Sequence, residues 1–180
     1  MFRTLWDGFV SREGGRNPVN RTAVIDTTFL ICLTDKNRVS HATALQYYRY
    51  FLESDVLMLL PTVVIAEFAI KQSPDDLPLR NFFILPFNYE TAKICGGLDA
   101  LRERKGNANL GQRDAVKDDF KIIAHVIENN SSFLVTEDSE TMERYCNALR
   151  EKGKTAFSVV QIAKPFDAAY VNGTGQRDLC

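Results

Sequence analysis

The sequence predicts an α/β protein, a three-layer α/β/α sandwich with a mainly parallel central sheet. Five short apolar runs, at residues 22–25, 56–60, 82–87, 133–135 and 157–163, alternate with stretches that carry apolar residues at helical spacing. Such alternation is typical of strand-helix-strand units, which place helices on both faces of a parallel sheet. The 180 residues, of which 45% are hydrophobic and 25% charged, are enough for one well-buried globular domain.

The first half of the chain predicts a strand, two helices, a second strand and a third helix. Residues 22–25 form the first apolar run, and Asp26 after it has the side chain of a good helix N-cap. Ser40 can cap the second helix, and the strand at 56–60 follows. Pro61 suits the first turn of the third helix, because the N–H that proline lacks has no partner there in any case.

The second half continues the alternation, with turn-forming segments between its helices. Phe120, Ile123 and Ile127 fall at helical spacing and define one apolar face. The predicted elements are, in order, a strand at 82–87, a helix at 90–105, a loop at 106–111, a helix at 115–127, a strand at 133–135, a helix that ends near residue 152 and a strand at 157–163.

The two ends of the chain differ from the region between them. The first twenty or so residues mix glycine, proline and charge, as in a loose arm, although Trp6 and its apolar neighbours are spaced as in a short amphipathic helix. We therefore divide the chain into an N-terminal arm at 1–21, a domain at 22–164 and a C-terminal tail at 165–180.

The composition limits the partners and the cellular compartment expected for the protein. A formal net charge of -1 gives the whole molecule no attraction for nucleic acid, so such a partner would need local basic patches or metal. Four widely spaced cysteines without a CxxC pair predict reduced thiols in a cytoplasm. The longest apolar stretch, at 56–70, contains Pro61 and Glu67 and is shorter than the roughly 20 residues that span a bilayer, so no membrane segment is expected.

Four carboxylates lie where apolar runs end or where a helix has an apolar face: Asp26, Glu67, Asp119 and Asp138. A carboxylate near a core is costly unless it is paired, protonated or bound to a cation. In parallel sheets ligands bind outside the carboxyl ends of the strands, which is where Asp26 and Asp138 both follow a strand. Glu67 and Asp119 are each placed to lean over the same edge, so the sequence predicts an acidic pocket there.

Four segments of the chain resemble the PIN-domain ribonucleases, a family that includes the VapC-type toxins of bacterial toxin-antitoxin pairs. They are residues 23–28 (AVIDTT), residues 60–67, which begin LPT and end at Glu67, Asp119 with the apolar residues after it, and residues 134–138 (LVTED). Their order and approximate spacing match the family over about residues 22–163. The resemblance implies a metal-dependent ribonuclease that hydrolyses RNA phosphodiester bonds and could act as the toxin of a toxin-antitoxin pair.

The resemblance also implies roles for individual residues. Asp26, Glu67 and Asp119 would be direct or water-mediated ligands of one or two Mg²⁺ or Mn²⁺ ions, Asp138 would complete the site, and Thr136 would orient a water or a carboxylate. The substrate would be single-stranded or structured RNA, and the partners an antitoxin protein or a second copy of the chain.

Two departures from the family pattern leave assignments open. Asp118 lies beside Asp119, and the apolar register of the helix favours Asp119 as the ligand. Glu140 lies two residues after Asp138, where the family often has an acid, and could be an outer ligand. The chain is also longer than typical VapC toxins at both termini.

Other interpretations use the same residues. Taken singly, Asp26 and Asp138 could be only helix caps, and Asp119 a solvated helix acid. A haloacid-dehalogenase-like phosphatase would need a second Asp two residues after Asp26, where this chain has Thr28. A non-catalytic PIN-like module that binds a protein is the main alternative to a nuclease.

Overall fold

A five-stranded, wholly parallel sheet forms the centre of the molecule. This computed structural model describes residues 21–98, 110–151, 153 and 157–172. The strands are β1 Thr22–Ile25, β2 Leu57–Pro61, β3 Phe83–Leu85, β4 Phe133–Thr136 and β5 Ser158–Gln161, in the spatial order β3-β2-β1-β4-β5. The predicted α/β fold with a parallel sheet is therefore confirmed.

Helices connect the strands, as the alternating pattern predicts. They are α1 Thr27–Thr34, α2 His41–Glu53, α3 Thr62–Ala69, α4 Tyr89–Gly97, α5 Leu110–Glu128, α6 Ser139–Glu151 and α7 Ala168–Asn172, and two short 3-10 turns precede β3. No helix in the described part of the chain is long and apolar enough to cross a membrane.

Some predicted boundaries are wrong. Pro61 is the last residue of β2 and the N-cap of α3, one position before the first turn, because its φ of -63° with ψ of 141° continues the strand. Ser40 occupies the N-cap position of α2, but its side chain makes no capping hydrogen bond. The helix predicted at 115–127 begins at Leu110, so the last two residues of the loop predicted at 106–111 are helical.

Two other segments end differently from the prediction. The helix predicted at 90–105 runs as α4 to Gly97, and residues 99–109 lie outside the described part. The segment predicted as a C-terminal tail contains α7, whose Val171 is buried and accepts a 2.6 Å hydrogen bond from the Arg21 guanidinium. The proposed arm lies outside the described residues, apart from Arg21.

The core lies on both faces of the sheet. In β1, Ala23, Val24 and Ile25 are fully buried, and every residue of β4 is buried as well. Strands covered by helices on both faces read as continuous apolar runs, which explains why these strands were visible in the sequence.

The strand order brings two distant turns together at the middle of the sheet. From β1 the chain moves outward through β2 to β3, then crosses back to β4 on the other side of β1. The Asp26 N–H donates a 3.0 Å hydrogen bond to the Val135 carbonyl, so the sheet pairing continues one residue past β1. The carboxyl ends of β1 and β4 thus form the switch point where ligands bind in such sheets.

Candidate active site

Asp26 lies at this switch point, and three donors hold its carboxylate. It is the N-cap of α1 and is 5% exposed. Its Oδ1 accepts from the Thr27 N–H at 2.7 Å, and its Oδ2 accepts from the hydroxyls of Thr28 at 2.7 Å and Thr136 at 2.6 Å. Burial raises the pKa of Asp26 although these hydrogen bonds oppose the rise. The carboxylate is therefore fixed in orientation and costly to ionise without a cation.

Two threonines tie the turn after β4 to the turn after β1. Besides donating to Asp26, the fully buried Thr136 hydroxyl accepts from the Asp138 N–H at 3.0 Å. The Thr28 hydroxyl accepts from the Glu137 N–H, also at 3.0 Å. These bonds hold the LVTED segment, residues 134–138, beside Asp26.

Removing the Thr136 hydroxyl should loosen this junction. We expect Thr136→Val to lower the free energy of unfolding by about 1–2 kcal/mol, because it leaves the buried Asp26 carboxylate and the Asp138 N–H each short of a partner. Thr136→Ser keeps the hydroxyl and is the control. Urea unfolding of both variants measures the difference, and equal stabilities would show that the hydroxyl does not hold the junction.

Glu67 approaches the same place from α3. Its Oε2 accepts a hydrogen bond from the Thr27 hydroxyl. Burial raises the pKa of Glu67, and the charges of Asp118 and Asp26 raise it further. Glu67 is therefore part of the acidic cluster that the sequence predicted.

The charges of all the other acids of the cluster act on Asp119. Burial, followed by the charges of Asp26, Asp138, Glu67 and Asp118, raises its pKa to about 7. Such a shift means that Asp119 is only partly ionised at neutral pH unless positive charge is supplied.

Asp118 and Asp119 occupy different environments on α5. The side chain of Asp118 is 37% exposed, and its Oδ1 lies 2.6 Å from the Lys121 ammonium, so it already has a counter-charge. Among the described residues, Asp119 makes no ion pair. The Lys121 ion pair therefore distinguishes Asp118 from Asp119, whose pKa is raised by burial and by the other acids.

Asp138 and Glu140 lie further out. Asp138 is exposed, and its Oδ1 accepts from the Thr141 N–H at 3.2 Å, so it caps the first turn of α6. Its charge nevertheless raises the pKa of both Asp26 and Asp119, which places it at the mouth of the cluster. Glu140 is exposed in the first turn of α6.

The donor chemistry of the cluster fits a hard divalent cation. All of its side-chain donor atoms are oxygens, which suit Mg²⁺ or Mn²⁺, and burial together with the charges of neighbouring acids raises the pKa of three of them. No three His, Cys, Asp or Glu side chains in the described residues already stand at metal-binding spacing. A bound cation would therefore have to draw the carboxylates inward, while the predicted ligand set stays a prediction.

Comparison with known structures identifies the fold. The chain is similar to the crystal structure of VapBC2 from Rickettsia felis bound to a DNA fragment from the VapBC2 promoter. The match covers 81% of this chain and 99% of the compared chain, with 18% sequence identity and a TM-score of 0.53. The chain has the fold of a VapC-like PIN domain. At this identity the match establishes the fold alone.

Two further VapC structures were compared with the chain. DNA-bound VapBC from Salmonella typhimurium covers 77% of this chain and 98% of its own, with 16% identity and a TM-score of 0.49. VapC20 from Mycobacterium tuberculosis, described as a Sarcin-Ricin loop cleaving toxin, covers 70% and 94%, with 12% identity and a TM-score of 0.46. No protein-family model and no curated protein matches the sequence.

Sequence reasoning missed several side chains that contact the acidic cluster or lie beside it. Thr27 and Thr28 bind two different acids through their hydroxyls, and the only signal for them is the pair of hydroxyls directly after Asp26.

An ion pair between Arg38 and Glu137 joins the α1–α2 loop to the turn after β4. Burial would raise the pKa of Glu137, but hydrogen bonds from Ser40, Cys32 and Arg38 and the Arg38 charge lower it overall. No local pattern foretold this pair, because its members are far apart in sequence.

Proposed function

We propose that the protein is a divalent-metal-dependent ribonuclease that hydrolyses phosphodiester bonds. The observation that carries the proposal is the cluster of Asp26, Glu67 and Asp119 at the switch point of the sheet, where burial and mutual repulsion raise the pKa of all three. A purely structural site gains nothing from such repulsion, whereas a cation site uses it.

The proposed ligands are Asp26, Glu67 and Asp119, with Asp138 at the mouth and either Mg²⁺ or Mn²⁺ as the ion. When bound, such an ion supplies a water of lowered pKa and positive charge against the phosphate. The protein fixes the Asp26 carboxylate through Thr27, Thr28 and Thr136. Without a cation the clustered acids repel a phosphodiester, so binding of substrate should depend on metal as well.

RNA is the proposed substrate because the four segments that carry the acids resemble PIN-domain ribonucleases. The carboxylate cluster by itself would suit any phosphodiester. Specificity in such folds is set by loops and surfaces around the site, so the choice between RNA and DNA needs a direct test.

The test is cleavage of an end-labelled single-stranded RNA and of the DNA of the same sequence. We expect RNA cleavage with Mn²⁺ or Mg²⁺, loss of cleavage when EDTA removes the metal, and recovery when Mn²⁺ is added back in excess. The DNA should remain intact. Cleavage that persists in EDTA would contradict the proposed mechanism, and cleavage of DNA alone would contradict the substrate.

A protein partner is a further part of the proposal. The Rickettsia felis structure is of a VapBC2 pair, and we extend that arrangement to this chain as a small antitoxin that binds it. Purification of the chain together with the product of a neighbouring small reading frame tests this. The homodimer and the cytoplasmic setting stay predictions. A stable complex formed by a protein that binds no Mn²⁺ and cleaves no RNA would favour the non-catalytic alternative.

A further inference from the structure

Thr27 contacts two acids of the site through different groups. Its backbone N–H donates to Asp26 Oδ1 at 2.7 Å, and its hydroxyl donates to Glu67 Oε2. Glu67 lies on α3, 40 positions further along the chain, so this one residue joins the acid after β1 to the acid on another helix. Thr28, by contrast, donates its hydroxyl to Asp26.

The Thr27 side chain is buried at the start of a helix. Thr27 is the first residue of α1 and is 8% exposed. Its branched Cβ restricts χ1, and in the rotamer that it adopts the hydroxyl contacts Glu67. The N–H that binds Asp26 belongs to the same residue. Only the few covalent bonds between the Thr27 backbone nitrogen and its hydroxyl therefore separate the groups that hold the Asp26 and Glu67 carboxylates.

The chemistry of the contact suits a metal ligand. A hydroxyl donates to a carboxylate without changing its own protonation, so the bond from Thr27 to Glu67 is compatible with an ionised Glu67 that binds a cation.

We propose that Thr27 is a positioning residue, which orients Glu67 relative to Asp26 for binding of a divalent cation. The inference rests on the proposed function, because it assigns Thr27 to the same metal site. Side chains that orient metal ligands typically change metal affinity by about 10- to 100-fold when they are removed.

The experiment measures Mn²⁺ binding to the full chain by calorimetry, which does not depend on activity. We expect Thr27→Val to bind Mn²⁺ about 10- to 100-fold more weakly than the wild type, and Thr27→Ser to bind within about twofold. Thr34→Val is the matched control, because Thr34 lies on the same helix and its hydroxyl donates to the Leu30 carbonyl and to Gln72, away from the acids. Its affinity should equal that of the wild type. Circular dichroism establishes that each variant is folded.

Three results would overturn the inference. Equal Mn²⁺ affinity of folded Thr27→Val and wild type would refute the role of Thr27 and leave the proposed function standing. Equal losses in the Val and Ser variants would show that the hydroxyl is not responsible. A wild type that binds no Mn²⁺ would refute both proposals.

A second comparison keeps the inference testable if Thr27→Val does not fold. Thr27→Ala also lacks the hydroxyl and, being smaller, cannot clash, so it replaces the Val variant in the same measurements. Combining the substitution with Glu67→Ala, which removes the acceptor of the Thr27 hydroxyl, forms a double-mutant cycle. We expect the loss of Mn²⁺ affinity caused by removing the hydroxyl to shrink in the Glu67→Ala background, since its effect passes through Glu67. A loss of the same size in both backgrounds would refute the proposed path.

Discussion

Asp26→Asn should lower the rate of RNA cleavage at least about 100-fold. Removing a residue that only orients a metal ligand lowers metal affinity or activity by up to about 100-fold, and replacing a ligand should cost at least as much. The Asn side chain keeps the shape of Asp26 but loses the negative charge at the most firmly held carboxylate of the cluster. The effect should appear as a loss of Mn²⁺ affinity together with a lower rate at saturating metal. Cleavage of end-labelled RNA over a series of Mn²⁺ concentrations separates the two contributions.

The matched control is Asp75→Asn, which removes one negative charge from an exposed acid in the turn before β3. This variant should cleave at the wild-type rate. The Asn variant at position 26 should fold, because the hydroxyls of Thr28 and Thr136 can rotate to accept from the amide. A folded Asp26→Asn protein with full activity would exclude the proposed site.

The backbone of the site was predictable from local patterns. The β1 strand ends where the sequence said it would, and Asp26 caps α1 because Asp directly after a buried run is a strong start signal. The order of strands and helices then places β1 and β4 side by side through general rules for parallel sheets. The start of α5 was missed because glycine and asparagine near residues 106–111 signal a turn, while the helix begins within that segment.

The side-chain contacts of the site were less predictable. The bond between Thr136 and Asp26 joins residues 110 positions apart, and the bond between Thr27 and Glu67 spans 40. Sequence periodicity states which face a side chain occupies, but not which hydroxyl reaches which oxygen. Asp138 shows the same limit. It follows its strand as predicted, yet its side chain turns outward to cap α6 while its charge still acts on the cluster.

The acids of the cluster work against the stability of the metal-free protein. Asp119 titrates near pH 4 in an unfolded chain, by its ordinary pKa of about 4, and at about 7 in the fold. Between these values the folded state binds more protons than the unfolded state, so stability falls as the pH rises. The loss of stability caused by Asp119 is therefore absent below about pH 4 and reaches its full size above about pH 7.

Asp119→Asn should consequently stabilise the metal-free protein at pH 7.5. The full shift would correspond to about 4 kcal/mol, and screening by solvent at this partly exposed group reduces the expected gain to about 2 kcal/mol. For a protein of this size the gain raises the melting temperature by about 4–8 °C, and it should shrink toward zero as the pH falls to about 4. Thermal unfolding in EDTA between pH 4 and pH 8 measures this dependence.

The neighbouring substitution Asp118→Asn provides the control, because it removes an acid that is paired with Lys121. Loss of that pair is offset by relief of the repulsion from Glu67 and Asp119, so the stability of Asp118→Asn should stay close to that of the wild type while Asp119→Asn gains. Addition of Mn²⁺ should stabilise the wild type and Asp118→Asn more than Asp119→Asn, since a ligand that binds only the folded state adds stability according to its affinity. If Asp119 were a solvated helix acid, its replacement would change neither the melting temperature nor the response to Mn²⁺. A variant that is more stable without metal but is stabilised less by Mn²⁺ indicates that Asp119 serves metal binding, because its carboxylate lowers the stability of the metal-free fold.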